Sequence, residues 1–454
     1  MDELAPINLQ LGWPSPRLLP TVKLQQASIT ALSNPDLATA ALLYGPDIGH
    51  GPLRKSIAAW LSDFYMPEAG RISEGRICIT GGASQNLASI LQVFTDPIYT
   101  RRIWMIEPTY FLACRIFEDS GFQGRLTGVP EDNEGLDVSF LEKAIEAVDH
   151  QTRPEEQSYK AGPRYPKLYK HIIYAVPTFS NPSAKTMSLA RRIQLLQLAR
   201  KFDALIITDD VYDFLRWPTD SKITNGYALP GPVPPRIVDL DRKLEGSGDW
   251  GNSVSNGSFS KLVGPGVRVG WAEGTEAFSS RLSIVGSTRS GGAPSQFTSV
   301  FIDDLLSTGD LQSHIASVLI PTYEKRYHVL MAAISKHLIP LGVKIDTGKP
   351  YESSLPTLGT ESEGQEYQCF SGGFFIYITF PAELPPANVI AARALDNYAL
   401  KIPYGTMFLA WGDKTKIENR NLIERSSRLT WAWHEENEIA EGVRRLAEVL
   451  KEFG

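Results

Sequence analysis

The sequence predicts an α/β fold: a large domain with a mainly parallel sheet flanked by helices, followed by a smaller α+β domain. Three observations lead there. From about residue 50 to 300, short apolar runs alternate with amphipathic stretches, the pattern of strands joined by crossover helices. Each apolar run stops on a polar or glycine-bearing residue, and open α/β sheets bind ligands along that edge. At 454 residues, the chain is also too long for one small core.

Taken in order, Ile77-Cys78-Ile79-Thr80 reads as a strand, followed by a Gly-Gly-Ala-Ser turn and a helix through Asn86–Leu91. Ile103–Ile106 is a second strand ending at Glu107-Pro108, and Ile172–Val176 a third, stopped by Pro177. Leu189 to Phe202 places Ile193, Leu196 and Leu198 at helical spacing. It leads into a fourth strand, Leu205–Thr208, ending at Asp209-Asp210. Beyond about residue 300 come a helix over Tyr323–Leu338, a strand Gly373–Ile378 and a last helix over Glu436–Glu452. The expected division is 1–44 as an N-terminal segment joining the small domain, 45–305 as the large domain and 306–454 as the small one. Two polar stretches, Trp217 to Gly257 and Asp346 to Gln368, read as long surface loops.

Composition narrows the function. Apolar content of 43% and charged content of 21% describe an ordinary globular protein. A net charge of -6 gives no reason to expect nucleic acid or an anionic membrane as partner. No apolar run approaches the roughly 18 residues of a membrane span. Cys78, Cys114 and Cys369 are scattered without metal-ligand spacing, as expected of reduced thiols, so no metal is expected. The acidic start, Met-Asp-Glu-Leu, lacks the pattern of a signal peptide. Asn256-Gly257-Ser258 then reads as a chance sequon. A cytoplasmic protein is expected.

The chemistry concentrates in Ser258-Phe259-Ser260-Lys261, followed by Arg268 in Gly-Pro-Gly-Val-Arg-Val-Gly. An amine among small hydroxylated residues is suited to form a Schiff base with an aldehyde, while Ser258 and Arg268 suit a phosphate on the same molecule. Such a molecule is pyridoxal 5'-phosphate; a surface lysine in a Ser/Gly loop is the plainer alternative. The cofactor makes further demands. Its phosphate needs backbone amides at a positive helix terminus, offered by Gly82, Ala83 and Ser84 between strand and helix. Its ring needs a flat partner, for which Tyr110 is placed just past a strand end. Its ring nitrogen needs a carboxylate to stay protonated, Asp209 or its neighbour Asp210. Asp209 is preferred because Tyr212, three residues on, can then meet the ring hydroxyl together with Asn181.

In this order, Gly-Ala-Ser-Gln, Tyr110, Asn181-Pro182, Asp-Asp-Val-Tyr and Ser-x-Ser-Lys resemble the cofactor motifs of the class I/II, aspartate-aminotransferase-like family of fold type I. Within it, the look is nearest the 2-aminoadipate, aromatic and kynurenine aminotransferases. The resemblance runs from about Leu9 to Leu450. It implies a transaminase moving an amino group between an L-amino acid and a 2-oxo acid, with Lys261, Asp209 and Tyr110 catalytic. A lyase or synthase using the same cofactor is the alternative. Tyr44-Gly45 with Gly49-His50-Gly51-Pro52-Leu53-Arg54 resembles the family segment whose tyrosine reaches the neighbouring subunit's phosphate, so Tyr44 implies a homodimer with shared sites. Gly372-Gly373-Phe374-Phe375 resembles its small-domain strand. Arg428 matches the arginine that grips the substrate carboxylate, with Gly12 and Asn181 beside the substrate, and Arg425 is its rival. Two departures stand out. Asn-Pro-Thr-Gly is here Asn181-Pro182-Ser183-Ala184, and the Pro-Gly of the small domain is Tyr404-Gly405-Thr406. Trp13, Phe111 and Tyr404 would suit an aromatic or long aliphatic substrate.

Overall fold

The computed structural model describes residues 4–151, 158–219, 234–348, 370–413 and 420–454. At its centre lies an eight-stranded sheet made of β1 (Ile77–Thr80), β2 (Arg102–Glu107), β3 (Leu126–Asp132), β4 (Gly135–Leu136), β5 (His171–Ala175), β6 (Ala204–Asp209), β7 (Ser253–Ser258) and β8 (Gly270–Glu273). Its order is β1-β8-β7-β6-β5-β2-β3-β4. β8 runs antiparallel to both β1 and β7, and β4 antiparallel to β3; the rest run one way. This is the mainly parallel sheet the sequence predicts.

β6 explains itself. Leu205, Ile206 and Ile207 are wholly buried, as befits a central strand covered on both faces, where an apolar run replaces alternation. One face packs into the main core with Leu205 and Ile207, the other into a second cluster with Ile206, Ile173, Leu195 and Leu196. The helix Leu189–Lys201 supplies the last two, and its Ser188 cap accepts a hydrogen bond from Arg191 N–H.

A three-stranded antiparallel sheet of β9 (Lys344–Ile345), β10 (Phe375–Thr379) and β11 (Ser426–Thr430) forms the second unit, in that order. The helices Ile320–His337 and Glu436–Lys451 pack on each other beside it. Ile7–Asn8 pairs in parallel with Leu400–Lys401, so the N-terminal strand adds to this unit. The helix Gln296–Ser307 crosses position 305 without a break and packs against Thr21–Ser33 and Gly51–Tyr65.

One expectation is corrected. The stretch Trp217 to Gly257 is not simply a loop: it holds the helix Ile237–Lys243 and most of β7, besides the end of a short strand Arg216–Pro218. β7 reads Ser-Val-Ser-Asn-Gly-Ser, and its polar side chains find partners inside the fold, so hydropathy does not reveal it. Residues 220–233 of that stretch, nearly all of the second polar stretch and Cys369 lie outside the described residues. Ile206→Ala is expected to cost roughly 2–5 kcal/mol of stability by leaving a cavity within the second cluster, measurable by denaturant unfolding.

Candidate active site

The parallel strands end together. The carboxyl ends of β1, β6 and β7 bring Thr80, Asp209 and Ser258 to one edge, with register pairs Asp209–Asn256, Ser258–Gly270 and Gly270–Thr80. A cavity of about 320 Å³ opens there, lined by Gly12, Ala83, Ser84, Tyr110, Asn181, Asp209, Tyr212, Ser258, Lys261, Arg268 and Arg428 among others. Eleven residues singled out in the sequence thus share one space. Gly82 does not line it, but it caps the helix Ala83–Phe94 with φ +97, and a Cβ there would lie 2.6 Å from Arg268 Nη2.

Lys261 follows β7 through a single turn, and its Nζ donates to the carbonyl of Gly12 at 3.0 Å. Burial, helped by Arg428 and opposed by Asp209, pushes its pKa down to about 8. Asp209 Oδ2 accepts from the Tyr174 hydroxyl at 3.0 Å, while Oδ1 is buried without a hydrogen-bond partner. Its pKa is pushed up to about 7 by burial; Tyr174 and Lys261 favour the ionised form and Asp210 opposes it. Asp210 is engaged elsewhere, accepting from Thr208 and Ser255 hydroxyls at 2.7 and 2.6 Å. Of the two neighbouring carboxylates, Asp209 is therefore the one facing the cavity with an open oxygen.

Arg428, on β11, is buried. Its Nη1 donates to Asn181 Oδ1 and its Nη2 to the Gln10 carbonyl, each at 2.7 Å. Its guanidinium carbon stands 4.0 Å from the Phe375 ring centroid, a cation–π arrangement. Arg425, its rival in sequence, hydrogen-bonds the Asn421 carbonyl on the exterior and does not line the cavity. Arg268 adopts φ +48, donates to the Gly81 and Pro265 carbonyls and lines the cavity. Burial pushes the Tyr110 phenol up to about 12 and that of Tyr212 higher still. In the turn after Asn181, Ala184 keeps the left-handed conformation, φ +63, where a glycine is favoured.

Tyr44 stands apart: it is 88% exposed and is not among the lining residues. Of the aromatic positions, Trp13 and Phe111 line the cavity and Tyr404 does not. Sequence reasoning missed Tyr174, Phe375, Phe408 and Gln10. Tyr174 sits inside an apolar strand and looks like core, whereas Gln10 contributes only a backbone carbonyl.

A buried open carboxylate oxygen, an amine held near neutrality and a guanidinium beside a helix N-terminus define an enzyme site for a phosphate-bearing carbonyl cofactor and a carboxylate substrate. Comparison with known proteins gives the family. The chain belongs to the class I and II aminotransferases, whose family model matches residues 16–326. It is 35% identical to an uncharacterized protein of Saccharomyces cerevisiae over 98% of this chain and 97% of the other. It is 27% identical to aromatic-amino-acid aminotransferase 1 of Thermococcus litoralis, covering 98% and 88% of the two chains. The crystal structure of Pyrococcus horikoshii kynurenine aminotransferase superposes with a TM-score of 0.75 at 26% identity, over 98% of this chain and 91% of that one. The activity is pyridoxal-phosphate-dependent transamination. The donor set fits that cofactor, with Asp209 Oδ1 left open and a close glycine cradle at Gly82.

Removing the Tyr174 hydroxyl takes away a hydrogen bond that favours the charged carboxylate. Tyr174→Phe is therefore expected to move the acidic limb of the pH–rate profile upward by about one unit; an unmoved limb would separate Asp209 from that limb.

Proposed function

We propose that Lys261 carries the cofactor and that Asp209 holds its ring nitrogen protonated. The observation that carries this reading is that Lys261 Nζ and the open Asp209 Oδ1 face one cavity with the buried Arg428 guanidinium. The phosphate is assigned to Ser258, Arg268 and the amino end of the helix Ala83–Phe94 at Gly82, Ala83 and Ser84, where dipole and free N–H groups favour an anion. Tyr110 would cover a ring face, and Tyr212 and Asn181 would hold the ring hydroxyl.

Pyridoxal 5'-phosphate, bound there, supplies a carbonyl carbon for the substrate amine and a ring that accepts the electron pair left at the α-carbon. Arg428 holds the substrate carboxylate through a two-point ion pair, beside Gly12 and Asn181. Lys261 Nζ would be the base that takes the α-proton, and a pKa of about 8 leaves it partly neutral at physiological pH. Asp209 balances the ring's positive charge, and the apolar walls of Phe375 and Phe408 exclude water around Arg428.

For the substrate we propose an amino acid with an aromatic or long aliphatic side chain, since Trp13, Phe111, Leu112 and Phe408 border the cavity. The names of the relatives from Thermococcus litoralis and Pyrococcus horikoshii support that lean. We also propose a homodimer. The N-terminal helices Thr21–Ser33 and Pro35–Leu42 and the residues after them expose Val22, Ile29, Leu32, Leu42, Leu43 and Tyr44, an apolar surface suited to a second copy. Tyr44 would then reach the partner's phosphate. The cytoplasm is the proposed compartment, supported by the free, buried thiols of Cys78 and Cys114. Among the described residues no helix is long and apolar enough to cross a membrane.

Five results are expected. An L-amino acid donor abolishes the visible absorbance of the purified enzyme and a 2-oxo acid restores it. Lys261→Ala retains the fold by circular dichroism and loses turnover; near-normal turnover would overturn the assignment. Uptake of cofactor by stripped protein quickens as pH rises through about 8, because only the neutral amine attacks. Sedimentation gives twice the chain mass, and Tyr44→Phe weakens cofactor retention about tenfold, the loss of one hydrogen bond to a charged group. A monomer with full activity would rule out the shared site.

A further inference from the structure

A second cavity, of about 270 Å³, lies at the opposite edge of the central sheet. It is lined by Ala69, Arg76, Asp241, Arg242, Ser247, Ser253 and Thr275, and shares no residue with the active-site cavity. The topology fixes its place. Arg76 immediately precedes β1, Ser253 begins β7, and Thr275 follows the end of the antiparallel β8. All three sit where the parallel strands start, away from the edge that carries Lys261.

Two guanidiniums converge there with donors unused. Arg242 Nη2 is spent on the carbonyls of Ala69, Gly70 and Arg71 at 3.1–3.2 Å. Its Nη1 is buried without a partner. Arg76 Nε is likewise buried without a hydrogen bond and makes only a long ion pair with Glu273, at 3.6 Å. Of the acids nearby, Asp239 accepts twice from Arg236, and Glu273 Oε2 lies 2.8 Å from Arg236 Nη1, although neither Glu273 oxygen makes a hydrogen bond. Asp241, which lines the cavity, is held by Arg200 at 2.8 Å, the Asn252 N–H at 2.7 Å and the Ser253 hydroxyl at 3.0 Å. Burial holds the Arg76 pKa below its ordinary value; Glu273 opposes that, while Arg242 and Arg236 deepen it. An anion seated between two guanidiniums relieves their mutual repulsion.

We propose that this cavity is an anion site for a phosphate group, either free or esterified to a small molecule. Arg76 and Arg242 supply the charge, with hydroxyl donors from Thr275 and Ser247. Thr275 Oγ1 already accepts from the Phe278 N–H at 3.1 Å, which leaves its proton to donate. Ser247 is exposed and lines the cavity at its rim. A phosphate carries several oxygens and can take a donor from each guanidinium at once, which favours it over a halide. The site does not depend on the reading of the catalytic residues.

The test titrates the cofactor-loaded enzyme with inorganic phosphate at constant chloride, followed by ³¹P NMR, in which the cofactor's phosphorus is a separate signal. One saturable equivalent per chain is expected. Its affinity should fall about tenfold or more in Arg242→Gln, the scale of one charge-assisted contact. Because Arg242 also ties down three carbonyls, Ser247→Asp is the companion variant: it sets a negative charge at the rim without removing a packed side chain. Tighter binding of glycerol 3-phosphate than of phosphate would identify an esterified group; equal or weaker binding would identify the free ion. Absence of saturable binding overturns the proposal. So does binding that survives Ser247→Asp unchanged, since the phosphate would then be seated at Arg428 or elsewhere.

Discussion

The whole site depends on six strands that run in the same direction and stop at nearly the same level. Parallel pairing sets the register residue by residue, so Asp209, Asn256 and Ser258 arrive at one edge whatever the loops do. Apolar burial on both faces of β6 makes a slip by one residue costly, because every side chain would change sides. The chemistry-bearing residues are appended to that frame, mostly within a few positions of a strand's end. Lys261 is three residues past β7, and Tyr212 is three past β6.

The second determinant is desolvation. Lys261, Asp209 and Arg428 all have their charged forms disfavoured by burial, and Lys261 and Asp209 partly compensate each other. Lys261 and Asp209 stabilise each other's charge, whereas Arg428 works against the ammonium. The result is an amine and a carboxyl both poised near neutrality, in a pocket whose arginine is faced by two aromatic rings. A structure holding such groups buried and only partly hydrogen-bonded expends folding free energy to keep them there. The unpartnered oxygen of Asp209 is where that cost is most visible.

Much of this was legible in the sequence because polar residues at the end of an apolar run cannot hide. Asp209-Asp210 after Leu-Ile-Ile-Thr and Gly81-Gly82 after Ile-Cys-Ile-Thr announce both strand and site. The choice between Asp209 and Asp210 was argued from Tyr212, and the hydrogen bonds to Thr208 and Ser255 add a physical reason that only packing reveals. β7 was missed because its serines and asparagine are satisfied by Asp241, Asp210 and Ala83. Tyr174 was missed for the opposite reason: within Ile-Ile-Tyr-Ala-Val it is indistinguishable from core. The Gln10 and Gly12 carbonyls carry no side-chain signal at all.

The Gly12 carbonyl joins parts of the molecule far apart in sequence. Gly12 lies flush against Phe375 of β10, where a Cβ would fall 2.5 Å from the ring. A few residues earlier, Asn8 N–H is bonded to His434 Nε2, and the Gln10 carbonyl is held by Arg428. The peptide that receives the Lys261 amine is thus stitched to the three-stranded sheet, whereas the lysine itself grows from the eight-stranded one. Whatever shifts one sheet against the other lengthens or shortens the hydrogen bond between Lys261 Nζ and the Gly12 carbonyl. In this chain the position of the smaller sheet and the freedom of the amine are one coordinate.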